Sequence, residues 1–136
     1  MIRTEGTTIH LTRGDATNGN YNRLAFNFPI YNFETEQEEN YLFQLEDKIS
    51  FTIINKKGYT KEELLRKEYT PRDIGYAAPT DTLEIPLTEE DTKSFPLANK
   101  PKTYWYQISL NDSTTVLGYD DDGAKLIIVY PEVEEV

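Results

Sequence analysis

Apolar and polar side chains alternate with a period close to two along most of this chain, the pattern of half-buried strands whose successive residues face opposite ways. Ile9 and Leu11 alternate with Thr8, His10 and Thr12. Leu24, Phe26, Phe28 and Ile30 alternate with Ala25, Asn27 and Pro29. Pro29 marks an edge or a bulge, because proline cannot donate to a sheet. Ile49, Phe51 and Ile53 repeat the pattern, as do Leu83, Ile85 and Leu87, where Pro86 is a second edge or bulge signal. Tyr104, Tyr106, Ile108 and Leu110 alternate with Trp105, Gln107 and Ser109, and the closing AKLIIVY is apolar on both faces except at Lys125.

KEELLRKEYT holds strong helix formers, yet Leu65, Lys67 and Tyr69 fit a strand and Pro71 stops a helix before it gains an apolar face. A strand is expected there, after a loop at KKGYTKEE. Thr88 and Asp91 have capping-box spacing, which predicts one helical turn carrying the chain from one sheet to the other. Turns are expected at ATNGN, at Gly58, at Asn111 and Asp112, and at Gly118 and Gly123 around an Asp triplet. Strands spaced in this way predict an all-β fold, an immunoglobulin-like antiparallel two-sheet sandwich of about seven strands. It would form a single domain over residues 1–136, with an acidic loop at 34–47 and a short polar C-terminal tail at 131–136. Within the loop, Tyr41, Leu42 and Phe43 are expected to pack over the sandwich while Glu34, Glu36, Glu38, Glu39, Glu46 and Asp47 stay in water. The tail is too polar to pack unless it adds to a neighbour's sheet.

Composition narrows the function. The chain has 136 residues, 14 Lys+Arg against 24 Asp+Glu, a formal charge of -10, no Cys, one His, one Trp, ten Tyr and six Phe. So acidic a body repels phosphate backbones and anionic membranes, so neither nucleic acid nor membrane is expected as a partner. Without cysteine there is no disulfide, thiolate metal site or thiol nucleophile. The N-terminus MIRTEGTTIHLTRGD lacks the apolar core of a secretory signal, and no run approaches the ~20 apolar residues of a membrane-spanning helix.

No candidate chemistry outweighs its plainer reading. Arg13-Gly14-Asp15 spells a tripeptide that integrins read from exposed loops, but it also suits a tight turn in which Asp15 bonds nearby amides, and the turn is expected. Asp120, Asp121, Asp122 and Gly123 suggest a calcium loop, yet EF-hand spacing would put Gly118 and Val129 at ligand positions, so a solvated turn is expected. His10 shares a face with Thr8 and Thr12 and is expected to face solvent. Ser50, Ser94, Ser109 and Ser113 lie in no nucleophile-elbow sequence. No catalytic, cofactor-binding or metal residue is assigned. Lys56, Lys57, Lys61, Arg66, Lys67 and Arg72 form a basic stretch that suits docking to an acidic surface, including that of a neighbouring copy; alone, it also reads as a mixed-charge hairpin. The tyrosines exceed what a small core needs, and tyrosine is enriched at interfaces and sugar-stacking sites. Of the cluster from Thr103 to Tyr106, only one face is free to form such a site.

The segments TTIHLTRGD, LEDKISFTI, RKEYT, LEIPLTEEDTKSF, YWYQISLND and KLIIVYPEVEE together resemble the N-terminal immunoglobulin-like domain of the baseplate upper protein family, from phages and prophages of Gram-positive bacteria. The resemblance covers nearly the whole chain. It implies a non-enzymatic virion protein of the tail or baseplate, assembled in the bacterial cytoplasm and joined to other virion structural proteins or to copies of itself. The acidic segment from Glu34 to Asp47 is longer than the family's usual loop, and the receptor-binding role that larger relatives carry on a helical extension is not expected of residues 1–136. A decoration protein of the head or tail fits equally. A carbohydrate-binding module, with Trp105 or exposed tyrosines stacking on host cell-wall glycan, is the alternative from another class.

Overall fold

The computed structural model describes residues 1–57, 60–117 and 126–132. The Gly58 turn, Gly118, the calcium reading at Asp120 to Gly123, Lys125 and the tail beyond Glu132 lie outside them. In chain order the strands are β1 (Ile2–Glu5), β2 (Thr8–Thr12), β3 (Ala25–Phe26), β4 (Pro29–Asn32), β5 (Gln37–Asn40), β6 (Ile49–Lys57), β7 (Thr60–Tyr69), β8 (Leu83–Glu84), β9 (Lys102–Leu110), β10 (Thr114–Leu117) and β11 (Leu126–Tyr130). One helical turn, α1 (Glu89–Thr92), stands between β8 and β9.

Strand β9 organises the fold because both its edges are paired. Along one edge β6 runs antiparallel from Ile49 opposite Leu110 to Ile54 opposite Trp105. The other edge is divided, with β11 against Lys102 to Trp105 and β10 against Ile108 to Leu110. The full order is β1-β2-β11-β9-β6-β7, with β10 attached to β9, in a seven-stranded sheet. The β2–β11 pair is parallel, so this sheet is mixed rather than wholly antiparallel. Nothing forces those two strands to oppose each other, since no tight hairpin joins them.

The expected alternation decides which sheet face is covered. Ile9, Leu11, Ile49, Phe51, Ile53, Tyr104, Tyr106, Ile108, Ile127 and Val129 are all buried. They meet Leu24, Phe26, Phe28, Phe43, Leu83, Ile85, Leu87 and Phe95 from a second layer in one continuous cluster. That layer contains two small sheets, β3 with β8 and β4 with β5, and a bridge between Phe43 and Thr80. The fold is therefore all-β, with one large mixed sheet against a layer of short strands.

Several local expectations change. The run from Leu24 to Ile30 is two short strands: Leu24, Phe26 and Phe28 reach the core, but Ile30 does not. Leu83, Ile85 and Leu87 all point inward although β8 stops at Glu84, before Pro86 removes a donor. The 34–47 segment is not a loop throughout, since β5 pairs with β4 inside it. Most of the loop expected at KKGYTKEE is strand, because β6 reaches Lys57 and β7 starts at Thr60. β1 escapes the periodicity because Ile2 is its only large apolar residue.

Other signals hold. Thr88 Oγ1 accepts from the Asp91 amide at 3.1 Å, and Asp91 Oδ2 accepts from the Thr88 amide at 2.9 Å, which completes the capping box of α1. Asn111 and Asp112 have φ of 52° and 59°, the left-handed pair that matches a tight hairpin between β9 and β10 to the strand twist.

This division predicts opposite outcomes for two phenylalanines. Phe51→Ala should lower unfolding free energy by about 3–5 kcal/mol in urea denaturation, because a fully buried ring leaves a cavity in the central sheet. Phe33→Ala, on an exposed ring, should change it by less than about 0.5 kcal/mol.

Candidate functional site

The hairpin of β4 and β5 carries the most unusual surface. Its register pairs Pro29 with Asn40, Ile30 with Glu39, Tyr31 with Glu38 and Asn32 with Gln37. Asn32 shapes the turn: its Oδ1 accepts from the Glu34 amide at 2.9 Å, and its Nδ2 donates to Glu39 Oε1 at 2.6 Å. Tyr31 and Phe33 pack edge to face with centroids 5.0 Å apart. They are 52% and 85% exposed, so this aromatic pair is built on the surface rather than against the core. Glu38 pairs with Tyr31 across the hairpin, Glu34 and Glu36 lie in its turn, and residues 29–40 contain no Lys or Arg. An exposed aromatic pair on an acidic, cation-free hairpin has the make-up of an interface centre.

The root of this hairpin is tied to the core by hydrogen bonds and ring packing. The Tyr41 amide donates to the Phe28 carbonyl at 2.8 Å, and Phe43 packs edge-on against Phe28 at 5.3 Å and against Tyr41 at 4.9 Å. Asp47 ties the base together. It accepts from the Tyr41 hydroxyl and the Gln44 amide at 2.8 Å each, and from Asn111 Nδ2 at 3.1 Å. Two expectations are thereby corrected: Asp47 is buried rather than in water, because three donors replace its hydration, and Leu42 is exposed while Phe43 alone of its neighbours is fully buried. Burial, together with the hydrogen bond and the charge of Asp47, pushes the Tyr41 phenol up to about 12.

The outer face of the large sheet is the second candidate. A half-open groove of about 370 Å³ is lined by Ser50, Thr52, Gln107 and Ser109, with Arg66 and Asp112 at its border. Gln107 Nε2 donates to Ser109 Oγ at 3.2 Å and to Thr115 Oγ1 at 3.3 Å. Ser50 is 3% exposed, and among the described residues its Oγ has no hydrogen-bond partner. Trp105 stands on the same face, with Lys56 Nζ 5.0 Å from its ring centroid, so an ammonium already occupies the indole face. Tyr104 and Tyr106 turn into the core.

The remaining candidates have structural work. Arg13 Nε donates to the Phe95 carbonyl at 2.8 Å, Nη2 to the Lys93 carbonyl at 3.1 Å, and Nη1 meets Glu132 at 3.3 Å. Gly14, at φ 91°, donates its amide to Thr92 Oγ1 at 2.9 Å. The tripeptide is thus the expected turn, pinning the end of β2 to α1, although the Asp15 carboxylate meets the Met1 amino group rather than backbone amides. His10 is buried, contrary to expectation. Tyr130 stacks on it and shares a 2.9 Å hydrogen bond with Nδ1, and Glu5 lies 3.5 Å from Nε2.

Three cations of the basic stretch meet carboxylates. Lys67 meets Asp91 at 2.5 Å, Arg66 meets Glu63 at 2.8 Å, and Arg72 meets Glu46. Of the tyrosines, Tyr69, Tyr104 and Tyr106 are core residues, while Tyr21 and Tyr31 are exposed. Ser94 and Ser113 are exposed in turns, and among the described residues no three His, Asp or Glu side chains cluster as metal ligands. The sequence matches no family model and no curated protein.

Alkaline titration tests the hairpin root. The Tyr41 phenol ionises near 10 when free and at about 12 when folded, so its contribution is complete below pH 10 and lost as pH climbs through 12. Thermal melts should lose stability across that window, and Tyr41→Phe, which has no phenol to ionise, should reduce that loss.

Proposed function

We propose that this chain is a non-enzymatic structural protein of a phage virion, an immunoglobulin-like sandwich that works by association with other virion proteins in the tail, baseplate or a decorated part of the particle. The observation that carries the association reading is the exposed Tyr31–Phe33 pair on an acidic hairpin tied to the core at its root. The core does not bury these rings, and the acidic, cation-free hairpin that carries them favours a neighbour that offers an apolar pocket edged by Lys or Arg. The virion setting, with assembly in the bacterial cytoplasm, follows from the resemblance of the strand segments to the baseplate upper protein family. The non-enzymatic reading is supported by the single His, His10, being held by Tyr130 and flanked by Glu5.

A second reading, favoured by the polar groove and its Ser50 hydroxyl, unpartnered among the described residues, is recognition of host cell-wall glycan. Lys56 over Trp105 weighs against sugar stacking at that ring. Titration with cell-wall polysaccharide separates the two: shifts of the Thr52, Gln107 and Ser109 amides would support the glycan reading, and their absence at millimolar sugar would exclude it.

The association reading predicts that mass spectrometry of purified particles finds this polypeptide. A Tyr31→Ser, Phe33→Ser double variant should melt like the parent yet be incorporated at least about tenfold less, the loss expected for two central aromatic anchors. Particles that lack the parent polypeptide, or that incorporate the variant normally, would refute it.

A further inference from the structure

One edge of the large sheet is β7, which among the described residues pairs within the sheet with β6 alone. Its sequence, TKEELLRKEY, reads as a charge palindrome. Laid antiparallel against a second copy of itself, with a two-fold axis between Leu64 and Leu65, it places Leu64 opposite Leu65 and Glu63 opposite Arg66. Glu62 then faces Lys67, Lys61 faces Glu68, and Thr60 faces Tyr69. Every charged residue of the strand meets its opposite.

Such a register works only if paired residues also share a face of the sheet. In a regular strand it would fail, because Glu63 and Arg66 are three apart and would point to opposite faces. The ladder with β6 shifts at this point: Ile53 pairs with Leu65 and Ile54 with Glu63, which leaves Leu64 as an extra residue. Leu64 and Leu65 accordingly both pack against the core. Beyond the bulge, Arg66 and Glu68 lie opposite Thr52 and Ser50 on the outer face, where Glu63 and Lys61 also lie, opposite Ile54 and Lys56. Lys67 points inward to Asp91, on the face that carries Glu62. The bulge thus puts all the complementary partners on matching faces.

We propose that β7 is a self-pairing edge and that its occupant is a second copy of this chain, joined about a two-fold axis normal to the sheet. Charged side chains, an inward lysine and a bulge ordinarily keep a sheet edge from pairing with arbitrary strands. Here the same devices reject foreign edges and accept this one, because opposite charges face each other only in the self-complementary register. The two seven-stranded sheets become continuous. Their outer-face grooves, each bordered by Lys61, Glu63 and Arg66, come side by side across the axis.

Self-pairing of β7 uses no residue of the β4–β5 hairpin, so the two contact surfaces fail or stand independently. Sedimentation equilibrium from micromolar to millimolar protein should show a monomer–dimer equilibrium that weakens with added salt. Glu63→Arg and Arg66→Glu, each alone, set like charges across the axis twice and should weaken the dimer by about tenfold or more. Mixing the two variants restores every pair, so a heterodimer should form at the parent's affinity even though neither variant pairs with itself. The Tyr31→Ser, Phe33→Ser variant should dimerise as the parent does. A parent that remains monomeric throughout, or single variants that dimerise normally, or a mixture that does not recover, would overturn the proposal. A dimer lost in the hairpin variant but not in the charge variants would overturn it too, by moving the contact to the hairpin.

Discussion

The structure depends on β9 being paired along both edges while its side chains alternate between two environments. Its inward residues, Tyr104, Tyr106, Ile108 and Leu110, are the floor on which the second layer is laid. Its backbone joins β6 and β7 on one side to β11, β2 and β1 on the other. A one-residue slip of this strand would exchange Tyr104 and Tyr106 for Trp105 and Gln107 in the core and leave polar atoms without partners. The inward aromatics therefore fix the register, and through it the positions of everything on the outer face.

Once the large sheet has used one face for the core, two kinds of surface remain available for contact. One is the outer sheet face with its edge strand, polar and closely balanced in charge around the groove. The other is the hairpin that leaves the second layer at Phe28 and returns at Tyr41, single-signed and aromatic. The formal charge of -10 is consequently uneven: Arg66, Lys67 and Arg72 of the basic stretch are met by carboxylates, whereas residues 29–40 carry four glutamates and no cation. Among the described residues, the surfaces that stand out are an edge strand and a projecting hairpin.

The period-two pattern made most of the large sheet legible, because a strand with one buried face must alternate; the inward sets of β2, β6 and β9 were readable from it, whereas β11, whose sequence is apolar on both faces, showed no inward set until the structure buried Ile127 and Val129. The capping box of α1 and the left-handed turn at Asn111 and Asp112 were legible for local reasons, since each needs specific side chains at fixed offsets. The hairpin was not. Gln37 to Asn40 contains no apolar residue, so β5 has no periodicity to detect and is held by pairing with β4 alone. His10 was misjudged because alternation gives its face but not the stacking of Tyr130, which comes from a strand far along the chain. Asp47 was misjudged for a similar reason, as two of its donors are local but the third, Asn111, is brought in by the β9–β10 turn. The parallel β2–β11 pair was equally hidden, because direction between distant strands is a property of the whole topology.

The central claim is that this molecule works through its exposed hairpin in contact with a neighbour. The most direct measurement is hydrogen–deuterium exchange on the isolated protein and on the same protein in assembled particles. Amides from Tyr31 to Asn40 should become strongly protected on assembly, while those of β9, already protected by pairing on both edges, should not change. Hairpin amides that exchange equally fast in both states would contradict the account.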